Sequence, residues 1–122
     1  CLYDQSTIII LGDHGNDWLS SPAYLMKEAG DNGPLKTSYA PVSHADIRAT
    51  IMLAAGGDYE KYGTPVSHWN EEDRRDDRRY YAYDWTEIRG FDYYFKEIEE
   101  FRVPEDANDF ANYELINTYP KP

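Results

Sequence analysis

An apolar run at residues 7–11, which ends abruptly in Gly12, Asp13, His14 and Gly15, constrains the fold more than any other feature of the sequence. A short, continuous run of β-branched and aliphatic residues is typical of a strand buried on both faces inside a mostly parallel sheet. Open α/β sheets bind their ligands beyond the carboxyl ends of such strands. The run therefore predicts a buried parallel strand, and the residues that follow it are the first candidates for a functional site.

Asp13 and His14 are candidate metal ligands. Carboxylate and imidazole both bind divalent ions, and two adjacent residues on a sharp loop can direct both side chains at one ion. Gly12 and Gly15 relax the backbone on either side of them. The imidazole nitrogen favours manganese or zinc over an all-oxygen calcium site. The alternative is that Asp13 caps the following turn and that His14 is a partly buried loop histidine.

The next elements are predicted to be a short strand at residues 23–27, a turn at 29–36 and a helix at 41–57. Ser43 can cap this helix, and Asp46 three residues later completes a capping box. For Asp46 the pattern therefore favours a capping role over a role as acid or base. The order of strand, loop, strand, turn and helix indicates an α/β protein.

The spacing of apolar residues predicts which side of the helix is buried. Ile47, Ile51 and Ala54 recur on one face. His44 lies in the first turn and is interpreted as a solvent-facing residue, with contact to a substrate as the alternative. His68 is interpreted as a structural residue.

Charged and aromatic residues dominate the second half of the chain. Residues 71–79 carry both charge signs densely, which is typical of a solvated connector or a short salt-bridged helix. Residues 80–85, 91–103 and 113–119 are rich in aromatic residues and predict strands of a small antiparallel sheet. The second of these segments also fits a helical stripe, but its aromatic content favours a strand. The residues of that stripe are Phe91, Phe95, Ile98 and Phe101.

This change of character predicts two parts, a core portion at residues 1–70 and a small antiparallel β subdomain with a tail at 71–122. Four arginines at the start of the second part could bind sulfate or phosphate. The acids interleaved with them favour pairing between arginine and acid instead. The four arginines are Arg74, Arg75, Arg78 and Arg79.

The net charge of -11 argues against a nucleic-acid partner, because phosphate backbones are bound by lysine and arginine. The single cysteine, Cys1, excludes an internal disulfide and a cysteine-rich metal site. A buried parallel strand needs neighbours on both sides, and few other segments of the sequence suit that role. We therefore expect the chain to be the C-terminal portion of a larger protein. The alternative is a short protein that begins with an edge strand.

Two segments resemble motifs of sulfatase-like enzymes. Residues 3–15 look like the segment usually written yDnTiiiftsDHG, and residues 41–51 resemble the later PvS..Di.pTil helix. Residues 79–83 and the aromatic strands after them resemble the small C-terminal sheet of the same group. The resemblance is to the alkaline-phosphatase superfamily, in particular the sulfatase and membrane-anchored phosphoglycerol-transferase (lipoteichoic-acid-synthase-like) branch.

The resemblance implies the C-terminal part of an alkaline-phosphatase-like α/β sandwich with a small antiparallel sheet. It implies that Asp13 and His14 bind the catalytic metal, which would be manganese, calcium or zinc. The family's nucleophile is a threonine, a serine or a cysteine converted to formylglycine, and it lies well upstream of this motif. Cys1 cannot replace it because it lacks the surrounding C-x-P-x-R pattern. An anionic ester substrate and an extracytoplasmic or membrane-anchored parent protein follow from the resemblance alone, while the portion itself is expected to be soluble.

Three hypotheses follow. In the first, the chain is part of a metal-dependent enzyme that cleaves or transfers sulfate or phosphate esters; it supplies two metal ligands and is inactive alone. In the second, it is a non-catalytic binding or assembly module of the same fold, which self-associates through an exposed sheet edge. In the third, it is an unrelated small α/β protein with a fortuitous Asp-His loop.

Overall fold

The computed structural model of the chain describes residues 1–15, 21–83, 87–89, 92–94 and 97–120. The chain divides into two compact units, which we call the N-terminal unit (Cys1–Asp73) and the C-terminal unit (Arg74–Pro122). The described residues form one α-helix and three small sheets, and every strand pair in those sheets is antiparallel. The predicted mixture of helix and sheet is therefore confirmed.

The N-terminal unit begins with two paired strands, β1 (Ile8–Leu11) and β2 (Tyr24–Lys27). They run antiparallel, with Ile10 directly opposite Leu25. These two side chains are 61% and 43% exposed, so the prediction of a parallel strand buried on both faces is wrong. An apolar run specifies a strand, but the direction and the burial of that strand depend on its partners. Here the partner is the next strand along the chain.

The predicted helix is shorter than its sequence pattern. A 3-10 turn at His44–Asp46 leads into helix α1 (Ile47–Ala54), which is eight residues long. The predicted capping box is confirmed. The Ser43 hydroxyl accepts a hydrogen bond from the Ala45 N–H, and the Ser43 N–H donates to Asp46 Oδ2 at 2.7 Å. No helix in the described part of the chain is both long and apolar enough to cross a membrane.

The buried side of α1 is not the side that the apolar spacing predicts. Ala49 and Thr50 are buried, at 0% and 1% exposure, whereas Ile51 is 52% exposed. The Thr50 hydroxyl donates to the Asp46 carbonyl at 2.8 Å and accepts from the Val66 N–H at 2.9 Å. The segment that carries Val66 therefore lies against the threonine side of the helix, and Ile51 stays exposed.

The C-terminal unit contains a three-stranded sheet of β3 (Arg79–Tyr83), β6 (Glu97–Arg102) and β7 (Glu114–Pro120), with β6 in the centre. Two shorter strands, β4 (Glu87–Arg89) and β5 (Asp92–Tyr94), form a separate pair.

The predicted antiparallel aromatic strands are confirmed in β3, β6 and β7. The helical alternative for the middle segment is wrong at Ile98 and Phe101, which lie in β6. Phe91 and Phe95 lie outside the described residues.

Aromatic rings pack together on this sheet. The Tyr113 ring centre lies 5.4 Å from that of Tyr80 and 6.1 Å from that of Phe101, in edge-to-face geometry. Phe110 adds a fourth ring, 5.6 Å from Tyr113. These separations fall in the range in which aromatic pairs attract one another beyond the effect of their buried area. The rings therefore form a partly exposed cluster that joins β3 and β6 to the segment leading into β7.

The arginine-rich segment is a mostly solvated connector, as one of the two predictions has it, and not a helix; only Arg75 in it is buried. Its backbone is tied to the end of β6, because the Arg75 N–H donates to the Pro104 carbonyl at 2.9 Å and the Val103 N–H donates to the Arg78 carbonyl at 3.2 Å. The Arg75 guanidinium, which is almost fully buried, lies 2.8 Å from Asp77 and holds the pKa of that carboxyl below its usual value.

Arg74 and Arg79 contact acids of the same unit, and Arg78 donates to the Val103 carbonyl at 2.7 Å. Arg74 contacts Glu105 and Glu114 at 2.9 Å each, and Arg79 lies 3.3 Å from Glu100. Mutual pairing is therefore the observed state of these arginines. Two of the paired acids, Asp76 and Asp77, are interleaved with the arginines, as expected, and the others lie in β6, in β7 and in the segment between those strands.

Replacing Thr50 by valine is expected to destabilise the N-terminal unit by about 1 kcal/mol or more, because the part-buried Val66 N–H would lose its acceptor. The matched change at the exposed neighbour, Ile51→Ala, should alter the free energy of unfolding by no more than about 0.5 kcal/mol. Urea unfolding followed through NMR resonances of α1 measures both. A larger loss for Ile51→Ala would contradict the observed burial.

Candidate metal centre

The site begins where β1 ends, at Gly12. The Gly12 N–H donates to the Ala23 carbonyl at 2.9 Å, which continues the pairing with the chain that enters β2. A Cβ atom on residue 12 would lie 3.1 Å from the His14 carbonyl oxygen and 3.6 Å from Pro22 Cβ. Glycine is therefore favoured here by the close return of the chain. The turn that follows presents Asp13 and His14 one after the other.

Asp13 and His14 are brought together and both face solvent. The His14 N–H donates to Asp13 Oδ1 at 3.0 Å, and His14 Nδ1 lies 2.7 Å from the Gly15 carbonyl oxygen. His14 Nε2 lies 3.7 Å from Asp13 Oδ1, and the two side chains are 83% and 91% exposed. The alternative of a partly buried loop histidine is therefore wrong. Asp13 accepts a hydrogen bond from the adjacent His14 N–H, which is not the bond to a residue two or three positions later that defines a cap.

The hydrogen bond to Gly15 decides which nitrogen of His14 is available. A carbonyl oxygen can only accept, so Nδ1 must carry the proton, and the lone pair of neutral His14 lies on Nε2. Histidines that bind metals usually donate their other ring N–H to a carbonyl or carboxylate in this way. The same bond, followed by the charge of Asp13, raises the pKa of His14, so protons compete with a metal ion for Nε2 up to a higher pH.

The distance between the two donor atoms fits a shared ion. A tetrahedral ion with bonds of about 2.1 Å separates two of its ligands by about 3.4 Å. The observed 3.7 Å between Nε2 and Asp13 Oδ1 differs from that value by a few tenths of an ångström. Among the residues that the structure describes, no group of three or more histidine, cysteine or acidic side chains is arranged to hold a metal ion. Asp13 and His14 are thus a pair of candidate ligands, fewer than the four of a closed zinc site.

His44 contacts the loop, which sequence reasoning missed. Its side chain is exposed, as expected, but its Nε2 lies 2.8 Å from the Gly12 carbonyl oxygen, 32 residues earlier in the chain. Nε2 must be the donor, because the carbonyl can only accept. No local pattern in the sequence predicts a contact between residues this far apart in the chain. The other candidate histidine, His68, packs edge-on against the ring of Tyr59, with ring centres 5.4 Å apart, as its structural interpretation predicts.

Comparison with known proteins assigns no family. No protein-family model matches the chain, and no curated protein and no solved structure shows significant similarity to it. The likeness to sulfatase-like enzymes therefore rests on the sequence resemblance alone.

His14 and His44 are expected to adopt opposite neutral tautomers. His14 should carry its proton on Nδ1 and His44 on Nε2, because each donates that proton to a carbonyl oxygen. Long-range proton–nitrogen correlation spectra, recorded above the pKa values of the imidazoles, distinguish the two forms. The opposite tautomer at either residue would contradict its hydrogen bond.

Proposed function

We propose that the chain is the C-terminal part of a metal-dependent, sulfatase-like enzyme that cleaves or transfers sulfate or phosphate esters, and that Asp13 and His14 supply two ligands of its metal ion. In this proposal the chain belongs to an alkaline-phosphatase-like α/β sandwich. The observation that carries it is the paired geometry of the loop: an exposed carboxylate oxygen lies 3.7 Å from an exposed imidazole nitrogen. The tautomer of that imidazole leaves its lone pair on the same atom.

The two residues have distinct roles in this proposal. Asp13 supplies an anionic oxygen, and His14 supplies a neutral nitrogen whose ring is oriented by the Gly15 carbonyl. A bound metal ion would polarise an oxygen of the ester and stabilise the negative charge that develops during its cleavage or transfer. The nitrogen donor favours manganese or zinc, and calcium remains the third candidate.

The proposal assigns the nucleophile and the further metal ligands to an upstream part of the enzyme. A pair of ligands alone binds an ion weakly, so we expect the chain to be inactive by itself. Its contribution is one side of a site whose substrate is an anionic ester. The extracytoplasmic or membrane-anchored location of the parent enzyme is part of the same proposal and is supported only by the resemblance.

Titration with Mn²⁺ tests the assignment, because this paramagnetic ion broadens NMR signals near weak sites. The amide signals of residues 12–15 should broaden first. Asp13→Ala should weaken this binding by at least about tenfold, since losing even a hydrogen-bond partner of a ligand costs that much.

The matched control is Glu72→Ala, which removes an exposed carboxylate of the same unit and should leave the broadening of residues 12–15 unchanged. Binding that survives Asp13→Ala would contradict the assignment. Broadening spread evenly over the acidic surface would reveal only attraction to the net charge of -11.

The exposed apolar pair of the two-stranded sheet favours a second candidate, an assembly module without chemistry of its own. Ile10 and Leu25 face each other across β1 and β2 and are 61% and 43% exposed. Such a pair stabilises a sheet when another surface covers it. In this candidate the cover is a second copy of the chain, joined at the sheet edge.

Sedimentation velocity across a concentration series tests this second candidate. The chain should form dimers that are weakened in the double variant Ile10→Thr, Leu25→Thr, which keeps strand propensity and removes apolar surface. The matched control is Leu35→Thr, a change of the same kind at a residue that is 84% exposed outside the strands. A chain that stays monomeric at every concentration would rule the module out.

A further inference from the structure

The hydrogen bond between His44 and Gly12 connects the start of the helical segment to the metal-binding loop. The Gly12 carbonyl and the Asp13 N–H belong to one planar peptide unit. A donor that holds the carbonyl at 2.8 Å therefore also orients the plane from which Asp13 departs. The Gly12 N–H is held from the other side by the Ala23 carbonyl. Both peptide planes of Gly12 are thus restrained immediately before the two ligands.

His44 itself is attached to a rigid support. It opens the 3-10 turn His44–Asp46, whose cap is closed by the bond from the Ser43 N–H to Asp46 Oδ2. Asp46 is 3% exposed, and its carbonyl accepts from the buried hydroxyl of Thr50. That hydroxyl in turn accepts from the Val66 N–H. Hydrogen bonds therefore connect the interior of the N-terminal unit, through Asp46, to Ser43, the residue directly before His44.

The hydrogen bonds of the ligands themselves are short-range. Asp13 accepts from its neighbour His14, and His14 donates to its neighbour Gly15. These bonds fix the ligands relative to each other, but they do not fix the loop relative to the rest of the unit. The bond from His44 spans 32 residues and supplies that second kind of restraint. Two ligands are held together in a geometry suited to one ion only where both the short-range and the long-range hydrogen bonds are present.

We propose that His44 is a positioning residue for the metal site: its Nε2–H holds the Gly12 carbonyl so that Asp13 and His14 are presented together to one ion. The inference rests on the proposed function, because it assumes that these two residues bind a metal. His44 needs no contact with the ion or the substrate for this role. What the role requires is a donor at the position of Nε2.

That requirement can be tested with three variants of residue 44. In His44→Gln the side-chain amide nitrogen reaches about as far from the backbone as Nε2, so the bond to Gly12 is retained. His44→Asn places its amide nitrogen near the position of Nδ1 and falls short. His44→Phe keeps a ring without a donor. If a donor at the Nε2 position is what matters, glutamine should rescue the site, and asparagine and phenylalanine should not.

Mn²⁺ titration with line broadening of residues 12–15 gives the first readout. We expect the affinity of His44→Gln to stay within about threefold of the parent chain, and that of His44→Asn and His44→Phe to fall by about tenfold, the usual effect of losing an outer-shell hydrogen bond. The second readout needs no metal. The carbonyl carbon shift of Gly12 should move in the asparagine and phenylalanine variants and stay near the parent value in the glutamine variant.

The two readouts separate failure of the inference from failure of the proposed function. If Asp13→Ala abolishes Mn²⁺ binding while His44→Phe and His44→Asn retain it, the metal site stands and the role of His44 is overturned. Equal losses in all three variants of residue 44, glutamine included, would also overturn it, because they would show that the imidazole itself is needed. If Asp13→Ala leaves binding intact, the metal assignment fails, and the positioning role fails with it. Unchanged amide signals of α1 confirm that each variant is folded.

Discussion

The N-terminal unit depends on one buried hydroxyl, that of Thr50. A helix of eight residues and a two-stranded sheet are each marginal structures in water, because neither buries enough surface alone. The Thr50 hydroxyl joins the first turn of α1 to the segment at Val66 by donating to one and accepting from the other. An aliphatic residue of the same shape would leave the Val66 N–H without this partner. The hydroxyl therefore decides which side of the helix is covered, and through Asp46 it supports the capped turn that carries His44.

In the C-terminal unit, the buried polar group that joins several elements is a carboxylate. Glu100 lies in the central strand and is only 9% exposed. It accepts hydrogen bonds from the hydroxyls of Tyr81 and Tyr119, one on each neighbouring strand, at 3.2 and 2.6 Å. Arg79 lies 3.3 Å from the same carboxylate. A buried carboxylate without partners would be strongly destabilising, so this arrangement fixes the register of all three strands. In both units, polar side chains at central positions select the geometry, and apolar contacts follow it.

Local sequence signals were sufficient for some features. The capping box of Ser43 and Asp46 and the aromatic strands were predicted because each depends on neighbours in sequence or on composition. Other features depend on residues that lie further along the chain, and no local pattern encodes them. They are the direction of β1, the buried side of α1 and the hydrogen bond from His44 to Gly12. The tetrapeptide Pro-Val-Ser-His illustrates this limit. It occurs at residues 41–44, where Ser43 caps a helical turn, and again at 65–68, where Pro65 takes the capping position and the serine lies inside the turn.

The same distinction applies to the candidate metal centre. Adjacency in sequence was enough to predict that Asp13 and His14 lie close together, and the contacts of Gly15 and Gly12 explain how the loop holds them there. Exposure of 91% and 83% means that water screens both donors, so their attraction for an ion is weak unless the backbone is ordered beforehand. A loop that hydrogen bonds already order loses less conformational entropy when an ion binds. Its affinity for the ion therefore rises without an additional ligand. A loop held at one peptide plane by Ala23, the residue before β2, and at the next by His44 is therefore better ordered for binding an ion than the same four residues on a free turn.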